Sequence, residues 1–258
     1  MNLTQVARRV LTPVLFGALL LGAWQLLVQV QNIPPYLLPG PKAIAAEVAD
    51  NLSDIVAVTR ASGLNALLGL LAGAVLAVAA AVTAVWARVV ERLLTPLSSA
   101  VSAMPIVALA PVLSIMFSAT SDLPRRIVVA IVAFFPIFVT TVRGLTRIDP
   151  VHAELMRSYA AGPWQLTRVV RLPGAVPYLF TGVRVAASLA VISAVVAEYF
   201  GGLQNGLGSR ITSAASNTAY ARAWAYVVAA IALGLVFYLA ALGAERLATR
   251  GSTERGTP

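Results

Sequence analysis

Glu154-Leu-Met-Arg-Ser-Tyr-Ala-Ala-Gly-Pro-Trp-Gln-Leu-Thr-Arg-Val-Val-Arg-Leu-Pro173 is a polar, basic stretch set between long apolar runs. A connection of that charge must lie outside hydrocarbon, yet it is patterned like folded structure. Asp149-Pro150 just before it is a helix start: the Asp carboxylate can accept from free amides, and Pro suits the first turn. Gly162-Pro163 reads as the stop, with Gly tolerating the left-handed exit and Pro unable to continue the helix. Between these signals Val151, Leu155 and Tyr159 recur every four residues, and Met156 and Ala160 widen the stripe. A helix with such a face needs a partner, from this chain or from another protein.

The flanking sequence is membrane-like. Of 258 residues, 59% are hydrophobic and 11% charged, with a mean hydropathy of +0.84. A soluble domain carries about 25% charged residues. Six stretches approach the roughly 20 apolar residues that cross a bilayer, at 11–30, 62–85, 96–118, 127–142, 176–199 and 223–244. The fold class expected is an all-α integral membrane bundle of six transmembrane helices. Residues 1–10 precede the bundle, 11–245 form it, 143–175 make the patterned loop and 246–258 a disordered tail. The fourth span has 16 uncharged residues between Arg126 and Arg143. At about 24 Å it would need both arginines to snorkel. Arg8-Arg9 before the first span resembles a secretory signal, but no small-x-small cleavage pattern follows the apolar run, so an uncleaved span is expected.

Positive charge sets the orientation. An even span number places both termini together, with Arg8, Arg9, Arg88, Arg92, Arg143, Arg147, Arg157, Arg168, Arg171, Arg246, Arg250 and Arg255 on that side. Lys42, Arg60, Arg125, Arg126, Arg210 and Arg222 fall on the other. Twelve against six predicts cytoplasmic termini and a cytoplasmic patterned loop. The net charge of +9 is thereby explained without nucleic acid.

Catalytic signatures are missing. The only Lys, Lys42, follows Pro39-Gly40-Pro41 rather than a phosphate-binding loop, so the chain cannot bind nucleotide in that way. His152 is the only histidine and reads as a surface residue; there are no cysteines, no G-x-S-x-G and no H-E-x-x-H. Two charges lie within the fifth span. Arg184 and Glu198 are fourteen residues apart, about 320° of rotation and about 21 Å of rise, so they share a face but cannot pair with each other. Charges at membrane depth face a bundle interior or a wet path. Against that stands the plainer alternative, in which Arg184 snorkels or pairs with another helix and Glu198 sits at the interface. The glycine-rich Gly201–Gly208 segment reads as a turning loop, either a docking element or a plain connector.

The stretch resembles the cytoplasmic signature loop of permease subunits of bacterial ATP-binding-cassette importers. Glu154 takes the acidic position, Leu155 and Met156 the two small ones, Ala160 the glycine, Val170 the aliphatic and Leu172-Pro173 the closing pair. Leu155, Met156 and Ala160 depart from the pattern. Gly162, two residues beyond the expected glycine, would displace the turn. Met104–Pro111, Ala133–Pro136, Leu172–Pro177, Thr181–Arg184, Ala197-Glu198 and Gly206-Leu-Gly208 look like the nitrate/sulfonate/bicarbonate branch, over about residues 60–245.

The resemblance implies a type I importer permease in the bacterial inner membrane, surrounded by lipid. Glu154, Leu155, Met156, Tyr159, Ala160, Gly162, Val170, Leu172 and Pro173 would couple it to a separate ATPase. No cofactor would be bound by this chain, since ATP and Mg belong to that partner. A solute-binding protein and a second permease copy, expected as a homodimer, would complete the transporter. Arg184 and Glu198 would border the translocation path. The solute implied is a sulfonate- or nitrate-type anion, or a vitamin precursor such as a thiamine pyrimidine or riboflavin. The alternatives are a self-sufficient secondary transporter or channel and an intramembrane enzyme. The first shows no inverted repeat here, and the second has no candidate pair but the distant Arg184 and Glu198.

Overall fold

A computed structural model describes residues 3–87, 96, 106–118, 120–200 and 203–253. The regular structure of the described residues is all helical, without strands: α1 Leu3–Val30, α2 Pro41–Asp50, α3 Leu52–Trp86, α4 Ile106–Phe117, α5 Leu123–Thr146 and α6 Pro150–Ser158. A short α7, Pro163–Leu166, passes through a π-helical turn, Thr167–Arg171, into α8, Leu172–Tyr199. Helices α9, Leu207–Ser216, and α10, Tyr220–Thr253, follow. Five segments are long and apolar enough to cross a membrane: Leu11–Val30, Leu52–Trp86, Leu123–Thr146, Pro163–Tyr199 and Tyr220–Thr249. Of the expected third span, 96–118, most of the first half lies outside the described residues, and the rest is α4.

The core is the packing of α5 between α3 and α8. Lipid gives no hydrophobic drive to bring helices together, so close approach depends on small residues. At Gly73 an added Cβ would lie 2.5 Å from the Ala130 carbonyl on α5, and at Gly182 it would lie 2.2 Å from Thr140 Oγ1. Buried Ala133, Ile137, Phe138, Ala186 and Ala190 fill the seam. Pro136 lies inside α5, and Thr140 Oγ1 donates back to its carbonyl, one turn earlier, at 2.8 Å. By contrast α1 stands apart, tied by Gln25 Oε1 accepting from Lys42 N and by Trp24 set edge-on to Trp224 at 5.7 Å.

Several boundaries differ from the sequence reading. Helix α5 runs 24 residues, not 16, because Arg125 and Arg126 sit inside its first turn rather than beyond it. Of the two arginines expected to snorkel, Arg126 donates from Nε to Asn65 Oδ1 at 3.0 Å and pairs with Asp122 at 3.7 Å, while neighbouring Arg125 is 3% exposed and meets Asp122, Asn205 and the Leu203 carbonyl. Helix α3 starts ten residues before the expected span, at Leu52, with Asp54 in its first turn, where the helix dipole favours an acid. The last helix continues through 246–253, into the stretch expected as a disordered tail, since no breaker precedes Gly251 and Thr249 Oγ1 donates to the Glu245 carbonyl.

Candidate functional site

The patterned loop folds as its sequence signals require at its start. Asp149 is extended and its Oδ1 accepts from Val151 N at 2.9 Å, with Pro150 in the first turn. Its end differs. Ala160 N donates to the Arg157 carbonyl at 2.9 Å and Ala161 N to the Met156 carbonyl at 3.0 Å. This is a Schellman closure, which needs a left-handed residue at its centre. That residue is Ala160, with φ 51, whereas Gly162 is extended at φ −71. The turn is therefore not displaced to Gly162. It stays at the signature's glycine position, and the alanine there carries the strain that a glycine avoids.

Gly162 opens the next helix instead, its amide donating to Gln165 Oε1 at 3.1 Å, with Pro163 in the first turn. From Pro163 the helix runs without interruption to Tyr199, about 55 Å at 1.5 Å per residue. Leu172-Pro173 thus lies inside a continuous rod rather than at its start. Pro173 has no N–H for the usual bond and its ring would crowd the preceding turn. The π turn over Thr167–Arg171 widens the backbone just ahead of it, and Leu172 N bonds back to the Thr167 carbonyl. Val170 is half-buried within that turn, and Leu172 and Pro173 are exposed just past it.

No residue of α6 is buried. Val151 and Tyr159 are 69% and 75% exposed, and Leu155 between them is exposed on the same face. Met156 is half-buried, and Glu154 is exposed with no side-chain partner among the described residues. His152 is likewise a surface residue. Trp164 is exposed beside this row and tilts over Trp86 at 6.1 Å. An apolar row is therefore presented on a short, doubly capped helix that the rest of the described chain does not cover.

The two intramembrane charges are both engaged. Arg184 Nη1 meets Glu245 Oε2 on α10 at 3.0 Å, and Thr181 Oγ1 lies 3.1 Å from Glu245 Oε1. The sequence reading does not single out Glu245, although it is the one acid in residues 220–253 and therefore the natural counter-charge. Glu198 is not at an interface: it is 1% exposed. Ser62 Oγ on α3 lies 2.9 Å from both of its carboxylate oxygens, and Gly208 N donates to Oε2 at 2.8 Å. Leu207 N in turn donates to Ser62 Oγ. Glu198 thus caps α9 from a neighbouring helix, where the N-terminal dipole favours an anion.

The glycines around it are steric requirements. A Cβ at Gly206 would lie 2.2 Å from the Glu198 carboxyl carbon, and one at Gly208 would lie 2.0 Å from the Val195 carbonyl. The described part of the 201–208 loop is consequently pinned rather than a loose connector. Arg125 adds a second pin through Asn205 and Leu203. Arg184 and Glu198 are not brought together, and each answers to a different helix.

The chain resembles known permeases over most of its length. It is 34% identical over 200 residues to the formylaminopyrimidine transport permease of Halalkalibacterium halodurans, covering 77% of this chain and 78% of that one. It is 33% identical over 198 residues to the riboflavin transport system permease of Chloroflexus aurantiacus, covering 76% and 73%. In fold it matches a chain of an inward-facing methionine ABC transporter at a TM-score of 0.54 and 21% identity, over 79% of this chain and 97% of the other. The type I importer permease architecture is therefore shared. Residues 69–250 match the binding-protein-dependent transport system inner membrane component family, and the chain belongs to that family.

Proposed function

We propose that α6 is a coupling helix through which a separate ATP-hydrolysing subunit drives alternating access in this permease. The observation that carries the reading is the uncovered Val151–Leu155–Tyr159 row on a helix joined, within four residues, to a 37-residue continuous rod. A lever needs one rigid element touching both motor and path, and this rod packs along α5 and α10 through the bundle. Glu154, Leu155, Met156, Tyr159, Ala160 and Gly162 would form the docking face and its turn. Val170, Leu172 and Pro173 would carry motion into the span.

In this scheme the chain hydrolyses nothing itself. ATP and Mg sit on the partner, a second copy of the permease completes the pathway as a homodimer, and an extracytoplasmic binding protein delivers solute. Both termini and α6 face the cytoplasm, in agreement with the arginine asymmetry. The likeness to formylaminopyrimidine and riboflavin permeases favours a ring-bearing vitamin or vitamin precursor as solute, with a sulfonate-type anion as the second reading. Arg184 and Glu198, both held by internal partners, act in the path as structural pivots that exchange partners when the bundle moves.

The test is uptake by the permease reconstituted with its ATPase and binding protein in proteoliposomes. Glu154→Lys and Ala160→Glu should retain membrane insertion and ATP hydrolysis while abolishing ATP-driven uptake. Uptake at the wild-type rate by both variants would refute the assignment of α6.

A further inference from the structure

A cleft of about 460 Å³ lies between α5 and α8 at the α6 end of the bundle, lined by Thr140, Arg143, Thr146, Arg147, Tyr178 and Thr181. Its volume is in the range of small-molecule sites. Arg143 stands in the last turn of α5 and Arg147 directly follows its end, four residues on, where like charges repel. Both are exposed, and neither guanidinium has a hydrogen-bond or ion-pair partner among the described residues. Asp149, two residues after Arg147, caps α6 through Val151 N, and Glu245, bonded to the cleft residue Thr181, is held by Arg184.

The other donors can be assigned. Thr140 and Thr146 direct their hydroxyl hydrogens to carbonyls one turn back, and Thr181 to Pro177 O or Glu245. They contribute methyl groups and lone pairs, not donors. Tyr178 has no hydrogen-bond partner for its hydroxyl among the described residues and supplies one further O–H. The wall itself is rigid, because Gly144 lets α8 approach so closely that a Cβ there would lie 2.8 Å from Tyr178 Cβ.

We propose that this cleft binds an oxyanion: a sulfonate, phosphate or carboxylate group held between the Arg143 and Arg147 guanidiniums, with Tyr178 as a third donor. Guanidinium forks match such groups, and flanking low-dielectric helices strengthen the pairing. The volume left over accommodates an organic moiety against the Tyr178 ring and the threonine methyls. Two sources present this chemistry, a free small anion and an anionic lipid headgroup. The proposal does not depend on which solute the permease carries or on the coupling role of α6.

The full-length protein in pure phosphatidylcholine nanodiscs should broaden the fluorine resonance of trifluoromethanesulfonate saturably. R143Q/R147Q should weaken that binding about tenfold or more, as expected for lost charge-assisted bonds, while R143K/R147K, which keeps the charge but loses the forks, should fall between that variant and the wild type. In a second arm, native mass spectrometry of protein extracted from phosphatidylglycerol-containing membranes reads retained lipid. Retention lost in R143Q/R147Q, without trifluoromethanesulfonate binding, identifies the headgroup as occupant; binding in the first arm identifies the free anion. Circular dichroism checks that the variants keep their helix content. No binding by the wild type in either arm, or equal binding by wild type and R143Q/R147Q, overturns the site.

Discussion

Ala160→Gly should tighten the turn that ends α6. Ala160 holds φ 51, a region that costs an L-residue with a Cβ about 1 kcal/mol or more and glycine almost nothing. Glycine returns part of that gain through the greater freedom of the unfolded segment, leaving about 0.5–1 kcal/mol in favour of the closed turn. The bonds at stake are Ala160 N to Arg157 O and Ala161 N to Met156 O. Local opening governs exchange of the Ala161 amide, so its hydrogen exchange should slow about 2- to 5-fold. Ala160→Pro should do the reverse, because proline has no N–H to give Arg157 and cannot adopt positive φ. Hydrogen-exchange mass spectrometry on a peptide spanning 155–163 reads both. Unchanged or faster exchange in Ala160→Gly would refute the argument that the turn is strained at this residue.

Three other perturbations follow from the packing. Gly182→Ala places a methyl 2.2 Å from Thr140 Oγ1 and 2.9 Å from Ile137 Cα, and should cost about 1–3 kcal/mol, read as a lower thermal midpoint in detergent; an unchanged midpoint would contradict the close α5–α8 approach. Gly206→Ala should be costly in the wild type and at most half as costly in a Glu198→Ala background, since its obstacle is the Glu198 carboxyl group. Equal costs in both backgrounds would mean that Glu198 does not lie under Gly206. Removing Arg184 or Glu245 singly should destabilise more than replacing both by Met and Leu, with a coupling of about 0.5–3 kcal/mol in a double-mutant cycle; strict additivity would show that the pair does not form in the membrane.

Composition alone made the all-helical membrane class legible, since 20-residue apolar runs admit little else. The start of α6 was legible too, because Asp149-Pro150 acts through local bonds. Its end was not: Gly162 carries the stronger turn signal, but the Schellman bonds are set by helix length, and they fall on Ala160. Arg125 read as an ordinary loop charge because its partners, Asn205 and the Leu203 carbonyl, are some 80 residues away and cannot be seen from periodicity. The same holds for Glu198, whose role depends on Ser62, 136 residues earlier. Arg184 as a charge needing a partner was visible, and the scarcity of acids in the last helix could have named Glu245. The π turn ahead of Pro173 left no local signature beyond the proline itself.

Cross-linking at position 159 tests the central claim most directly. The chain has no cysteine, so Tyr159→Cys introduces a unique thiol on the exposed face of α6. In inverted membrane vesicles containing the whole transporter, a benzophenone maleimide attached to that thiol should, on illumination, insert into C–H bonds of the ATPase subunit and join the two chains, with a yield that changes when ATP and vanadate are added. Failure to form that adduct, together with labelling of the same thiol by an impermeant maleimide from outside intact cells, would contradict the account.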